Sequence, residues 1–380
     1  MAKPRVNVGM IGYQFMGKAH SNAYRQVGRF FDLPCEVVMH TLCGRTEGPL
    51  REAADQFGWA NTQTDWQRVV EDPDIDLIDV SVPGHLHAPI AIAAAKAGKA
   101  VLCEKPLANT LAEAQKMLAQ ARDSKVFHGL FHNYRFAPAV ALARQIIDEG
   151  RLGEVRHIRA VYLQDWIVDP QFPRVWRLQR DQAGSGVHGD LNAHLIDLAR
   201  YLVGEFDSVC GHLHTFIAER PLPDDPTQRG PVDVDDAAMF LAKFQNGARG
   251  TFEATRFATG RKNANRFEIN GSKGSVAFDL ERMNELEFFD AAASSHTQGF
   301  QRIQVTQGDH PYAGRYWPAG HILGYEHTFV NLISEALTAM RGGAKFAPNF
   351  EDGVRNQRVL HAVEQSHLEG AWVSAFCAEV

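Results

Sequence analysis

Val6-Asn7-Val8-Gly9-Met10-Ile11-Gly12-Tyr13-Gln14-Phe15-Met16-Gly17 lies near the N-terminus and decides how the rest of the chain is read. Val6, Val8, Met10 and Ile11 make a short buried strand that breaks at Gly12, and a helical pattern follows from about Gly17 to Gly28. Strand, glycine-bearing turn and helix is the setting of a dinucleotide-phosphate loop, because amides at a helix N-terminus can face phosphates. The Gly-x-Gly-x-x-Gly pattern is broken at its second glycine, which is Gln14. That position normally lets the backbone approach the pyrophosphate, so the Gln14 side chain must swing aside or touch the cofactor. An ordinary strand-to-helix turn is the plainer reading of the same loop.

Outward from this loop, strands and helices alternate. Strands at 36–42, 77–82 and 100–103 are separated by helical patterns around 52–57, 87–97 and 111–123. Gly58, Pro83-Gly84 and Gly98 punctuate them. This rhythm implies a parallel sheet with right-handed crossovers, which takes ligands at the carboxyl ends of its strands. After about Asn133 the texture changes. One helix covers 140–148, then strands at 155–163, 209–217, 237–244, 248–254, 266–270 and 275–278 follow without regular helical crossovers. Asn246-Gly247 and Gly271-Ser272 supply hairpin turns, and 221–231, with four prolines, reads as a long strand-to-strand loop. The fold class is therefore α/β. A Rossmann domain over 1–130 precedes an α+β domain over 131–380 with a large, mostly antiparallel open sheet.

The 380 residues suit two or three domains. With 45% hydrophobic and 22% charged residues, the chain is globular rather than disordered. Lys plus Arg total 39 against 45 Asp plus Glu, so the net charge of −6 gives no footprint for nucleic acid. No apolar run approaches the roughly 20 residues that span a bilayer. Five scattered cysteines without a Cys-x-x-Cys pair argue against disulfides and zinc knuckles. Met1-Ala2-Lys3-Pro4-Arg5 runs straight into a strand pattern, so a cytoplasmic location is expected.

Strand two ends in Leu42-Cys43-Gly44-Arg45-Thr46, with no carboxylate for a ribose diol; Asp32 has the right offset but precedes the strand. A small residue followed by Arg45 suits a 2′-phosphate, or Arg45 caps the next loop. Lys105, in Cys103-Glu104-Lys105-Pro106, ends a central strand and is either a crevice residue or a surface lysine. The residue before proline is held extended, and a Lys-Pro bond can be cis. Asp190 and His194 stand four apart on a helix running through Leu198 and Leu202, so they share a face. They also fit an N-terminal carboxylate with a buried, satisfied histidine. His85-x-His87 and His212-x-His214 lack a third ligand, so no metal is expected.

Taken together these motifs resemble the glucose-fructose oxidoreductase/inositol dehydrogenase/MocA family. Gly12–His20, Val82-Pro83-Gly84-His85-Leu86-His87-Ala88, Glu104-Lys105-Pro106, Asn133-Tyr134-Arg135 and Asp190-x-x-x-His194 occur in that family's order. Ile269-Asn270-Gly271-Ser272-Lys273-Gly274-Ser275 looks like its sheet-domain hairpin. Within the family, Tyr162-Leu163-Gln164-Asp165-Trp166, Ala183-Gly184-Ser185-Gly186 and 201–206 look most like its sugar-oxidising members. The resemblance implies oxidation of a secondary alcohol of a sugar, anhydrosugar, glycoside or cyclitol with NAD or NADP. Lys105 would take the hydroxyl proton, and Asp190 and His194 would orient the substrate and relay that proton. An ammonium beside a cationic nicotinamide is disfavoured, which readies a lysine there to accept a proton.

The residues expected to hold the cofactor are Gly12, Gln14, Phe15, Met16, Gly17, Gly44, Arg45, Pro83, His85, His87, Glu104, Lys105 and Asn133. Those expected to hold the substrate are Lys105, Tyr134, Gln164, Trp166, Arg177, Asp190, His194 and Tyr312. Gly44-Arg45 tilts the expected cofactor choice toward NADP, although sugar-oxidising relatives mostly use NAD. A homodimer or homotetramer built on the antiparallel sheet is implied by the same resemblance. Two other classes fit the fold: a glycosidase that keeps its NAD and oxidises transiently, and a dinucleotide sensor without turnover. Lys105, Asp190 and His194 together argue against the sensor.

Overall fold

The computed structural model describes residues 3–376, which group into two compact units. One takes the chain up to Phe136 and then Gly324–Val354; the other takes Ala137–Leu323 and the chain from Arg355 onward. In the first unit β1 (Arg5–Ile11), β2 (Glu36–Cys43), β3 (Asn61–Gln63), β4 (Leu77–Val80), β5 (Ala100–Cys103) and β6 (His128–Leu130) form one parallel sheet. Their order is β3-β2-β1-β4-β5-β6, so the winding reverses between β1 and β4. A crevice opens beyond the carboxyl ends of the strands at such a reversal. All four residues of β4 are buried, as expected for a strand covered on both faces.

The crossovers are α1 (Phe15–Phe30), α2 (Glu47–Phe57), α3 (Trp66–Glu71), α4 (His87–Lys96) and α5 (Leu111–Asp123). Four elements of this unit differ from the sequence reading. α2 contains the expected 52–57 and extends back to Glu47, with Gly48 and Pro49 in its first turn, where proline costs no hydrogen bond. β3 with α3 and the three-residue β6 are too short to show periodicity. β6 carries Gly129 because a Cβ there would stand 2.6 Å from Leu102 and 2.9 Å from Phe346.

The second unit begins with α6 (Pro138–Asp148) and β7 (Val155–Leu163), then the one-turn α7 (Arg180–Ala183) and α8 (Ala193–Leu202). Strands β8 (Phe206–His214), β9 (Glu219–Pro221), β10 (Arg229–Pro231), β11 (Ala237–Phe244) and β12 (Arg249–Thr255) follow. β13 (Ala264–Gly271), β14 (Gly274–Asp279), β15 (Glu285–Asp290) and β16 (Gln301–Gln304) continue the set. α9 (Tyr325–Gly342) then belongs to the first unit, α10 (Phe350–Glu369) passes from the first to the second, and β17 (Val373–Ser374) ends the series.

Nine strands form one sheet in the order β16-β15-β14-β13-β7-β12-β11-β8-β17. Its pairs are antiparallel except β7 with β12. Alternation along β11 assigns the two faces. Ala238, Phe240, Ala242 and Phe244 are buried, whereas Met239 and Leu241 are 43% and 50% exposed. Phe240 stacks on Phe252 at 4.4 Å, and Phe206 packs against both.

Two expectations are corrected in this unit. The proline-rich 221–231 is not all loop, because its two ends pair as β9 and β10 outside the main sheet. The helix carrying Asp190 and His194 is not uniform either. His188–Asn192 form a π-helical turn and only from Ala193 is the helix α. Asp235 fixes the entry to that turn, its carboxylate accepting from the amides of Gly186 (2.8 Å) and His188 (2.7 Å).

Candidate active site

The first unit gathers its candidate residues at the carboxyl ends of β1, β2, β4 and β5. Gly12 follows β1 with φ of +114°, and a Cβ on it would lie 2.2 Å from the Ser81 carbonyl oxygen. Ser81, directly after β4, donates its hydroxyl to the carbonyls of Ile11 (3.2 Å) and Gly12 (3.1 Å). Gly17 presses α1 onto this loop, since its Cβ would fall 2.3 Å from the Gly12 carbonyl oxygen. Only glycine fits at 12 and 17.

Position 14 is different. Gln14 sits at φ −77°, ψ −150°, a conformation open to any residue, and its side chain is exposed. The middle glycine is therefore dispensable here on backbone grounds. No side chain caps the first turn of α1, so the amides of Phe15, Met16 and Gly17 have no side-chain acceptor from the N-cap residue. An uncapped helix N-terminus behind a glycine turn fits a dinucleotide pyrophosphate. Phe15 is 65% exposed and stacks on Tyr325 at 6.4 Å; Tyr325 also meets the edge of buried Tyr134 at 6.3 Å.

At the end of β2, a Cβ on Gly44 would lie 2.2 Å from two ring carbons of Tyr13. The space over Gly44 thus belongs to the Tyr13 ring. Arg45 is exposed beside it, and Asp32 is engaged elsewhere, 2.5 Å from Lys3, which holds its carboxyl below the usual range. After β4, Pro83 and His85 are half-buried. His87 is buried with Nδ1 3.0 Å from the Pro106 carbonyl and Nε2 2.9 Å from the Val82 carbonyl. Burial lowers its pKa despite those carbonyls. Asn133 is buried and donates to Thr328 Oγ1 at 2.8 Å.

Lys105 leaves β5 through a cis peptide to Pro106. Beneath it runs a chain of polar groups that sequence reasoning missed. Glu104, 5% exposed, accepts the Lys105 backbone N–H at 3.0 Å on Oε2 and faces His20 Nε2 at 3.0 Å on Oε1. His20 Nδ1 lies 3.0 Å from Asp79 Oδ1, and Tyr24 donates to Asp79 Oδ2 at 2.9 Å. Burial opposes a charge on His20, but Asp79 and then Glu104 outweigh it and raise its pKa to about 9. Burial and Asp79 push the Tyr24 phenol well above its ordinary value.

In the second unit Asp190 and His194 sit among substrate candidates. Arg256, 1% exposed at its side chain, donates from Nη2 to Asp190 Oδ2 at 2.7 Å. Its Nε and Nη1 have no hydrogen-bond partner among the described residues. The guanidinium lies 5.1 Å from the Trp166 ring centre. Trp166 Nε1 donates to Gln164 Oε1 at 2.9 Å, and Gln164 and Tyr162 both donate to Asn263 Oδ1, at 2.9 and 2.7 Å. The Tyr162 ring is 5.9 Å from that of His194. Asp190, His194, Gln164 and Trp166 are thus tied into one cluster through Arg256, Tyr162 and Asn263. Arg177 lies with its guanidinium 4.4 Å from the Trp176 ring, and Tyr312, at φ +62°, is half-buried in the loop after β16.

His20 had a signal in the sequence, eight residues after Gly12 inside a matched motif, yet nothing there marked it as a buried ion. Arg256 and Asn263 had none. Among the described residues, no group of three or more His, Cys, Asp or Glu is arranged to hold a metal, and no helix is long and apolar enough to cross a membrane.

Residues 6–132 match the oxidoreductase family with an NAD-binding Rossmann fold, and residues 140–277 match the GFO/IDH/MocA C-terminal domain. Levoglucosan dehydrogenase of Pseudarthrobacter phenanthrenivorans is 42% identical over 381 residues, spanning 97% of each chain. A solved levoglucosan dehydrogenase in complex with NADH and levoglucosan superposes with a TM-score of 0.94 at 43% identity, covering 98% of this chain and 99% of that one. An oxidoreductase domain protein from Kribbella flavida gives a TM-score of 0.95 at 52% identity, covering 98% and 100%. Matching both domains and a relative across nearly its whole length, the chain belongs to the Gfo/Idh/MocA family of oxidoreductases.

Proposed function

We propose that this protein oxidises a secondary hydroxyl of a sugar, anhydrosugar, glycoside or cyclitol, with Lys105 as the base. One observation carries the reading. Lys105 follows β5 on the sheet edge where Gly12 and Gly17 form a loop that tolerates no Cβ, so a proton acceptor lies on the cofactor edge. When bound, the dinucleotide supplies the hydride acceptor. Gly12, Gln14, Phe15, Met16 and Gly17 hold its pyrophosphate, while Gly44, Arg45, Pro83, His85, His87, Glu104 and Asn133 line the rest of its path. The Lys105 amine takes the hydroxyl proton. Asp190, paired with Arg256 at 2.7 Å, orients the substrate hydroxyls, and His194 passes the proton onward. Tyr134, Gln164, Trp166, Arg177 and Tyr312 supply the aromatic and polar surface that a sugar needs.

Both NAD and NADP serve as cofactor, with a lean toward NADP that rests on Arg45 alone, since the Tyr13 ring occupies the space over Gly44. Relatives solved with NADH support use of the unphosphorylated form. The domain over 131–380 binds substrate and assembles the oligomer. Exposed Met239 and Leu241 on the outer sheet face favour a homodimer or homotetramer, which sedimentation at micromolar concentration checks. Cys35, Cys43, Cys103 and Cys210 are free thiols, which suits the cytoplasm.

Absorbance of the reduced cofactor, followed over a panel of anhydrosugars, inositols and glucosides, identifies the substrate. Lys105→Met should bind the dinucleotide nearly as the wild type does and lose ~10²–10⁴ in turnover. Retention of more than about a third of wild-type turnover would show that Lys105 is not the base.

A further inference from the structure

We propose that the buried chain Tyr24–Asp79–His20–Glu104 is a positioning device for Lys105, a role that rests on the reading of Lys105 as the base. The chain crosses α1, β4 and the end of β5, and its last link is the Lys105 backbone N–H. Both ring nitrogens of His20 face carboxylate oxygens, which when ionised can only accept, so the ring donates from both as an imidazolium. The Phe131 ring stacks on it at 3.9 Å and Phe329 lies at 5.3 Å, closing the remaining sides with apolar surface.

Stability is a poor reason for such an arrangement. Two carboxylates and an imidazolium, none more than 5% exposed, carry a desolvation penalty that well-packed apolar residues would avoid. The end of the chain gives a better reason. Glu104 is pinned by His20 on one oxygen, so its other oxygen is a fixed acceptor for the Lys105 amide. Past the Lys105–Pro106 bond, the Pro106 carbonyl lies 3.0 Å from His87 Nδ1. The backbone that carries the lysine is therefore gripped before and after Lys105–Pro106. Proton transfer rewards this, because misplacing a reacting group by about 1 Å can cost on the order of a hundredfold.

Asp79→Asn and Glu104→Gln change one atom each and test the chain at its distal and proximal links. Each should lower kcat by about 10- to 100-fold, and in Asp79→Asn, which lies outside the cofactor's path, the dinucleotide Kd, read by fluorescence titration, should stay within about threefold. Amide hydrogen exchange at Lys105 should quicken in Glu104→Gln. In a Lys105→Met background neither change should lower turnover further, since the chain acts through that residue. Tyr24→Phe removes one oxygen and keeps the packing, which covers the case in which the carboxylate variants do not fold. A several-fold fall in kcat at unchanged KM is expected, and an unchanged kcat there overturns the proposal. The proposal also fails if Lys105→Met is inactive while folded Asp79→Asn and Glu104→Gln keep wild-type kcat. An active Lys105→Met would instead overturn the base assignment, a separate result.

Discussion

Replacing Arg256 by Met separates the work of the Asp190 carboxylate from its mere presence. The Arg256 side chain is 1% exposed and donates to Asp190 Oδ2 at 2.7 Å. A hydrogen bond between two charged groups is worth ~1.5–3 kcal/mol, so its loss should cost about 10- to 100-fold in kcat/KM if Asp190 must stay anionic and still. Stability should move little. Nε and Nη1 are buried without partners among the described residues, so methionine, of similar length, relieves a penalty while giving up the ion pair. Arg256→Lys restores the charge but loses the planar contact with Trp166 at 5.1 Å, so it should recover only part of the rate. Initial rates of cofactor reduction against sugar concentration, from about pH 5 to 10, give the comparison. Methionine should raise KM and lower kcat/KM across that range, because the carboxylate loses the donor that holds it in place. A variant with wild-type melting temperature and kcat/KM within about twofold across that range would refute the reasoning.

Asp190→Asn should mainly lower turnover, whereas His194→Ala should lower turnover and weaken sugar binding; multiplicative effects in the double mutant would show that the two do not act as a unit. Arg45→Ala should raise KM for NADP at least several-fold and leave that for NAD almost unchanged, since a charge-assisted contact with a 2′-phosphate is worth about 10- to 100-fold in affinity. Equal effects on the two cofactors would make Arg45 a bystander. Thermal stability should fall as pH rises from about 7 through 9 and beyond. The fold binds the His20 proton more tightly than the unfolded chain does, so the stabilisation is full below the ordinary histidine value of 6.5 and is lost through about 9. Asp79→Asn should flatten that slope in a calorimetric pH series.

The fold was legible because its elements obey local rules that survive in a single sequence. Parallel strands buried on both faces read as apolar runs, and β1, β4 and β5 stand where those runs stand. What escaped was either too short for periodicity, as β3 and β6 were, or decided by tertiary contacts. No pattern in His188–Asn192 announces a π turn, because it is fixed by Asp235, some 45 residues away in the chain. Arg256 escaped for the same reason. An arginine at a strand end is ordinary, and only folding brings it to Asp190, 66 residues earlier.

The two departures from the dinucleotide-binding pattern, Gln14 and Gly44, have different physical standing. Gln14 replaces a glycine, yet its negative φ asks nothing special of the residue, so the loop keeps its shape from Gly12 and Gly17 alone. Gly44 looks like the removal of an acidic residue to make room, yet the Tyr13 ring already stands 2.2 Å from where any Cβ would be. A carboxylate side chain there would displace that ring, so position 44 and position 13 form one packing choice. The absence of an acid at 44 is thus a consequence of the aromatic at 13 as much as a statement about phosphate. Cofactor preference then falls to exposed Arg45, whose contribution is screened by salt because it faces solvent. The ratio of kcat/KM for NADP to that for NAD should accordingly decline as ionic strength rises, and a ratio that ignores salt would place the selectivity in buried groups instead.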